Sequence, residues 1–281
     1  MLRLPRYANH KGNAMRTILA LCFALFAKVV WAQAAFAQSV PPEALKELAP
    51  TGTLRAAINF GNGVLAQRAP DGPMGVSVDL ARELGKRLGV PVELITFDAA
   101  GKAFEAAKAN SIDILFVAIE PVRAAEVEFS PPYVLIEGTF MVLKDSPLQT
   151  PAEVDQPGMR VAVGENSAYD LFLTRTLKNA KLLRTPGGCC KNIDLFRAEK
   201  LDAVAGVRQP LDDYARANPD VRVMKAAFQQ IRQAMGTPKG RLAAAAYLKT
   251  FIEEMKASGF VAEALKRSNQ PDAQVAPGEK S

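Results

Sequence analysis

Three short stretches of this chain carry side chains able to recognise a ligand. Arg123 follows Ala118-Ile119-Glu120-Pro121-Val122, after the most apolar strand-like segment, Ile112 to Ala118. Such a run reads as a strand buried on both faces. A guanidinium at the carboxyl end of a buried strand can clamp a carboxylate through two parallel N–H···O bonds. The commoner fate of an arginine is a surface pair with a nearby acid, here Glu126, which contributes little. Ser167 ends the stretch Gly164-Glu165-Asn166-Ser167, between a strand-like and a helix-like segment. A hydroxyl beside the unpaired amides of a helix N-terminus makes a small anion site, with Asn166 next to it. Ser167 also reads as a plain helix cap, and one residue can do both. The loop Asn59-Phe60-Gly61-Asn62-Gly63 follows the first strand-like segment. It puts Asn59, Phe60 and Asn62 where a ligand would lie, unless it is an ordinary Asn/Gly turn.

The composition excludes much else. The only histidine, His10, and the only tryptophan, Trp31, fall within the first 37 residues. That segment reads as an export signal: Arg16 precedes an apolar run from Ile18 to Ala27, and small-x-small patterns follow at Ala32-Gln33-Ala34 and Ala35-Phe36-Ala37. The run is shorter than the ~20 apolar residues a membrane span needs. With cleavage near Ala37, residues 1–37 leave a chain without histidine, destined for the periplasm. Serine or cysteine catalysis relying on histidine is then excluded, as is a histidine-held metal. No cofactor or metal is expected, and no catalytic residue. The segment holds five Lys and Arg and no acid, so its loss takes the formal charge from +6 to +1. A charge near zero without a basic run gives no footprint for nucleic acid. Cys189 and Cys190 are adjacent and cannot tie distant elements together; they form a strained vicinal pair or remain thiols.

These candidates need a frame. Strand-like and helix-like segments alternate: strand Leu54–Ile58, helix Val76–Leu88 with Ser77 as cap, strand Val92–Phe97, helix Lys102–Ala109, strand Ile112–Ala118, then an irregular stretch from Glu120 to Pro132 and a strand Thr139–Leu143. The alternation restarts with strand Arg160–Val163, helix Ser167–Leu177, strand Lys181–Arg184, helix Asn192–Glu199, strand Ala203–Val207, helix Leu211–Ala217 and strand Val221–Met224. A long helix from Leu242 to Ser258 and a short one to Arg267 follow, and the polar tail from Ser268 reads as flexible. This is the pattern of an α/β protein with mostly parallel sheets, in two rounds. Ligands of such sheets bind at the carboxyl ends of strands, here in a cleft between two lobes.

The residues together resemble a known family. Thr53-Leu54-Arg55, GVSVDLARELGKRLGV (Gly75 to Val90), SIDILF (Ser111 to Phe116), Pro121 with Arg123, VEFSPPY (Val127 to Tyr133), KLDAV (Lys200 to Val204) and MKASGF (Met255 to Phe260) occur in this order. The set resembles the bacterial extracellular solute-binding proteins of family 3, the amino-acid-type receptors of ABC importers. The resemblance implies a type II periplasmic-binding-protein fold whose two lobes close on a ligand. Lobe 1 would comprise residues 38–141 with 232–267, lobe 2 residues 142–231, and 268–281 a flexible tail. It implies that Arg123 and Ser167 grip the ligand carboxylate. It also implies a small anionic or zwitterionic ligand, a membrane permease as partner, and a monomer.

The chain departs from the family pattern where the ligand amine is held. The acid that such proteins carry after the lobe-2 Asp-Ala-Val is replaced by Val207 and Arg208. Either Glu120 takes the amine, or the ligand has none and Arg208 joins Arg123 on an organic acid. A second function remains open: a periplasmic dehydratase on the same fold, acting on a prephenate-like acid. Its general acid would be Glu120, Glu137 or Glu165.

Overall fold

The computed structural model describes residues 40–188 and 190–279; the expected leader with its cleavage site, and Cys189, lie outside them. The first half begins with helix α1 (Pro42–Leu48), strand β1 (Leu54–Asn59) and a small hairpin, β2 (Gln67–Ala69) and β3 (Gly72–Met74). Helix α2 (Val76–Leu88), strand β4 (Val92–Phe97), helix α3 (Ala100–Lys108) and strand β5 (Ile114–Ala118) follow. A single turn, α4 (Pro121–Ala124), leads into the long strand β6 (Val127–Leu143). The second half holds β7 (Arg160–Gly164), α5 (Ala168–Thr176), β8 (Lys181–Thr185), α6 (Lys191–Ala198), β9 (Ala203–Val207), α7 (Arg208–Ala217) and β10 (Val221–Val223). Strand β11 (Gln229–Pro238) returns to the first half, where α8 (Leu242–Ala257), α9 (Phe260–Arg267) and β12 (Gln274–Val275) complete the chain.

Local chemistry accounts for these elements. In α2 the buried residues Val76, Leu80, Leu84 and Leu88 recur every four positions and form one apolar face. Asp79 sits in its first turn, and Gly89 ends it in the left-handed conformation with φ 69°. The cap is Gly75 rather than Ser77; Ser77 lies inside the helix, buried, 3.1 Å from the Tyr133 hydroxyl. In β5 every residue is buried, as its unbroken apolar run requires.

One continuous sheet spans both halves in the order β4-β1-β5-β11-β6-β9-β7-β8, with β10 and β12 added to β6. Within each half the strands run parallel: β1 between β4 and β5, and β7 between β8 and β9. The two crossing strands run antiparallel to these, β11 along β5 and β6, and β6 along β9. The α/β class therefore holds, but the sheet is mixed rather than mostly parallel. In the first half Ala57, Leu115 and Val117 pack on Ala103, Phe104 and Ala107 of α3. In the second half alternation splits the sheet residues between two cores. Val161 and Val163 join Phe140 and Leu173, while Ala162 and Val204 join Ile193 and Phe196.

Three expectations need correction. The irregular stretch from Glu120 to Pro132 is instead α4 followed by the start of β6, and β11 was not foreseen at all. The tail is not loose. Gln274 and Val275 pair with Leu135 and Val134 of β6, Ala273 and Ala276 are buried, and the Lys256 ammonium donates to the Pro277 carbonyl at 2.9 Å. A strand edge offering unpaired backbone groups gives a polar tail somewhere to dock.

Among the described residues no helix is long and apolar enough to cross a membrane, and no cluster of His, Cys, Asp and Glu could hold a metal ion.

Candidate functional site

The carboxyl ends of β1, β5, β7 and β9 converge on one cavity of about 40 Å3, to which Asn59, Ala118, Glu165 and Val207 contribute. This is where an α/β sheet presents its strand ends to a ligand.

Arg123 forms one wall and is 1% exposed. The turn α4 sits on the end of β5 and aims the side chain back under the strand. Nη1 donates to the Ala118 carbonyl at 3.1 Å and Nη2 to the Asn166 carbonyl at 2.7 Å, so the guanidinium bridges the two halves of the molecule. Nε has no hydrogen-bond partner among the described residues. Burial lowers the pKa of this guanidinium to about 10, and the nearby Glu120 charge opposes that fall. A desolvated cation with donors to spare is a strong carboxylate acceptor site.

Ser167 lines the cavity opposite, as the cap of α5; its Oγ accepts from the Asp170 amide at 3.0 Å. The first amides of α5, from Ala168, have no intrahelical acceptor, and the helix dipole favours an anion there. Asn166 reaches the left-handed φ of 56° that this tight strand-to-helix turn needs. Its carbonyl faces Arg123, and its amide donates to Asp170 Oδ2 at 2.9 Å. Asn59 and Asn62 also line the cavity, each with its Oδ1 held by a backbone amide, of Gly61 at 2.9 Å and of Val64 at 3.3 Å.

The other candidates lie elsewhere. Phe60 faces outward into a neighbouring groove, with the Arg68 guanidinium 4.2 Å above its ring. Arg208 leaves the cavity for Glu137 and for the carbonyls of Met224 and Lys225. It starts α7, and its side chain turns toward the acid on β6. Glu120 is 2% exposed but does not line the cavity. Arg175 Nη1 of α5 lies 2.7 Å from its Oε2, and the Gln229 amide donates to Oε1 at 2.8 Å. Neither Glu120 as amine partner nor Arg208 as second cation stands in the observed geometry.

One polar cavity group is not marked by the sequence. Gln233 of β11 is 4% exposed and points into the cavity, its carboxamide without a partner among the described residues. Strand β11 lacks a legible period, so nothing marked this glutamine. Glu165, a candidate general acid, lines the cavity but is exposed, two residues before the Ser167 cap.

The seam between the halves is made by glycines. A Cβ on Gly188 would fall 2.2 Å from Gly61 Cα and 2.3 Å from the Asp98 carbonyl oxygen. A Cβ on Gly101 would fall 2.7 Å from the Asn166 Cβ. Only bare backbone lets the two sides approach this closely.

Comparison with known proteins shows the family and the fold. The family profile of bacterial extracellular solute-binding proteins, family 3, matches residues 65–269. The solved receptor for L-cysteine of Neisseria gonorrhoeae superposes with a TM-score of 0.69 at 22% identity, over 81% of this chain and 94% of that one. The ancestral amino acid-binding protein AncCDT-1, described as a precursor of cyclohexadienyl dehydratase, gives 0.67 at 23% identity, over 79% and 97%. These likenesses speak for the fold. A membrane-bound lytic murein transglycosylase F from Vibrio campbellii is 30% identical over 133 residues, which is 47% of this chain but only 24% of that protein's length.

Proposed function

The chain belongs to the bacterial extracellular solute-binding proteins, family 3, and from that premise we propose that it is a receptor for a small carboxylate-bearing ligand. It takes an amino acid or organic acid between two lobes and delivers it to the membrane permease of an ABC importer. It acts as an exported, periplasmic monomer after loss of residues 1–37. Its lobes are residues 38–141 with 232–267, and 142–231, with the docked tail belonging to the first. Arg123 is the observation that carries the reading. A fully buried cation with an unused donor, set at converging strand ends and opposite a helix N-terminus, is built to receive a carboxylate. Its hydrogen bond to Asn166 across the seam supports capture by lobe closure.

Turnover has less support than binding. A buried general acid would need to face the ligand. Glu120 and Glu137 are paired with Arg175 and Arg208 away from the cavity, and Glu165, which reaches it, is exposed.

A dye-based thermal-shift panel of amino acids and amine-free carboxylates tests the reading. A ligand at about 100 times its Kd adds about 2.7 kcal/mol, or roughly 5–11 °C for a chain of this size. The reading expects at least one such shift; a panel without any would refute it.

A further inference from the structure

Helix α5 is held near both its ends by one short segment of the first half, Glu120 to Arg123. Just before its amino end, the Asn166 carbonyl accepts from Arg123 Nη2 at 2.7 Å. Roughly 13 Å further along, at 1.5 Å per residue, Arg175 Nη1 lies 2.7 Å from Glu120 Oε2. The two anchors differ. Arg123 is a wall of the cavity, whereas Glu120 stays outside it, buried, with the Gln229 carboxamide donating to its Oε1 at 2.8 Å. Both partners of Glu120 come from the range assigned to the second lobe, while Glu120 belongs to the first. Among the described residues one other ion pair joins these ranges, Arg208 with Glu137. It sits on the crossing strand β6, where Gly138 is already paired with Val207. Arg175 is braced for its contact. Its Nη1 also donates to the Leu171 carbonyl at 2.8 Å, and its guanidinium lies 5.9 Å from the centre of the Phe172 ring. Phe172 stacks on Phe228, whose amide donates to the Gly138 carbonyl of β6 at 2.9 Å. A side chain held in this way loses little further freedom in meeting the acid, the usual cost of an ion pair between long side chains.

We propose that Glu120 and Arg175 form a latch across the seam, which favours the closed arrangement of the lobes through bonds between protein groups alone. This rests on the two-lobe receptor reading above and goes beyond it, because closure then does not wait for a ligand. A ligand shifts the balance of open and closed molecules only by its differential affinity for the two; the latch shifts the same balance from within the chain. Separating the lobes takes Arg175 away from a carboxylate that has no other cation within ion-pair distance among the described residues. The Arg175 side chain is 42% exposed, so water offsets part of that loss. The expected bias toward closure is about fivefold, or ~1 kcal/mol. The latch lies outside the cavity lining, so it acts on closure and leaves the ligand contacts of Arg123 and Ser167 untouched.

Small-angle scattering and amide hydrogen exchange, in buffer with no carboxylate added, test the latch in the parent protein, Glu120→Gln, Arg175→Ala and the double variant. Glu120→Gln keeps the side-chain shape and an oxygen for Gln229, and Arg175 is half-exposed, so both single variants are expected to fold; melting curves check this. Each single variant is expected to show a larger radius of gyration than the parent. Each should also exchange about fivefold faster in the seam segments 59–63 and 165–170, with exchange in the buried strand β5 unchanged. The double variant should match the single ones, because both substitutions remove the same contact. A lower Tm with unchanged dimensions and seam exchange, in either single variant, makes the pair a structural contact and refutes the latch. Effects that add up in the double variant refute the pair as their common cause. No ligand enters the measurement, so its failure leaves the receptor reading to be judged by the thermal-shift panel.

Discussion

The two ends of β5 hold two buried charges with opposite fates. At the amino end Asp113 is fully buried and saturated. It accepts from the Arg55 amide at 3.0 Å, from Arg55 Nε at 2.9 Å and Nη2 at 2.8 Å, and from Arg241 Nη1 at 2.9 Å. Arg241 also donates to the Glu47 carbonyl, and Glu47 in turn accepts from the Ala244 amide at the start of α8. The network ties β1, β5, α1 and α8 together. At the carboxyl end Arg123 is as deeply buried, but it meets two carbonyl oxygens and no anion of its own, because Glu120 is committed to Arg175 and Gln229. A buried charge whose partners are complete is structural. A buried charge left incomplete and facing a cavity is what the proposed carboxylate site requires.

That contrast can be broken or sharpened by experiment. The largest effect is expected at the structural end. Asp113→Ala leaves Arg55 and Arg241 without their shared anion and should cost about 3–5 kcal/mol of stability, the scale for breaking a buried ion pair. Chemical denaturation measures it, and ligand affinity of the folded fraction should not change. Next comes Arg123→Ala, which should weaken carboxylate binding by at least about 2 kcal/mol while leaving stability in buffer near the parent's. If the two substitutions exchanged these phenotypes, the distinction drawn here would be wrong. At the seam, Gly188→Ala places a methyl group against Gly61 and Asp98. It should reduce affinity about tenfold, or ~1.4 kcal/mol, and reduce ligand-induced compaction in small-angle scattering, with Tm little altered.

Two pH effects are smaller and of opposite sign. Burial pushes the Asp113 carboxyl up, but the Arg55 and Arg241 hydrogen bonds outweigh it and hold it below the ordinary aspartate range. Its contribution to stability is therefore present above the unfolded value of about 3.9 and is lost as pH falls through the lower folded value. Acid unfolding of Asp113→Asn should be correspondingly shallower. Arg123, with its pKa lowered to about 10 by burial, should lose carboxylate affinity as pH rises through that value. A Kd flat from pH 8 to about 10.5 would contradict the lowered pKa of an Arg123 that holds the ligand.

Only one side of this contrast is legible in the sequence: Arg123 stands out after a buried strand, while nothing marks Asp113 as a buried, saturated charge. Periodicity exposed α2, and unbroken apolarity exposed β5, because each buries its own residues in a regular pattern. The strand-end positions of Arg123, Ser167, Asn59 and Asn62 followed from placing strands and turns. Strand β11 did not follow. Gln229, Gln230, Arg232 and Gln233 mask any alternation, and the strand exists because β5 and β6, distant in sequence, pair with it on either side. The start of β6 was hidden by Pro131 and Pro132, which remove backbone donors. The sheet absorbs them with register shifts between Gln233 and Gly236 of the partner strand. Missing β11 meant missing Gln233. Glu120 and Arg208 were misplaced for a related reason. Sequence adjacency puts a charge near the cleft, but it does not reveal a competing partner such as Arg175 or Glu137 brought in by another element.

The account rests on a carboxylate meeting Arg123, and the most direct test changes the ligand and leaves the protein intact. Calorimetric titration of the wild-type protein with the acid that gives the largest thermal shift, and with its primary amide, differs by that one group. The geometry predicts that the amide binds at least about thirtyfold more weakly, equivalent to ~2 kcal/mol. Equal affinities would mean that the incomplete charge at the end of β5 is not where the ligand is held.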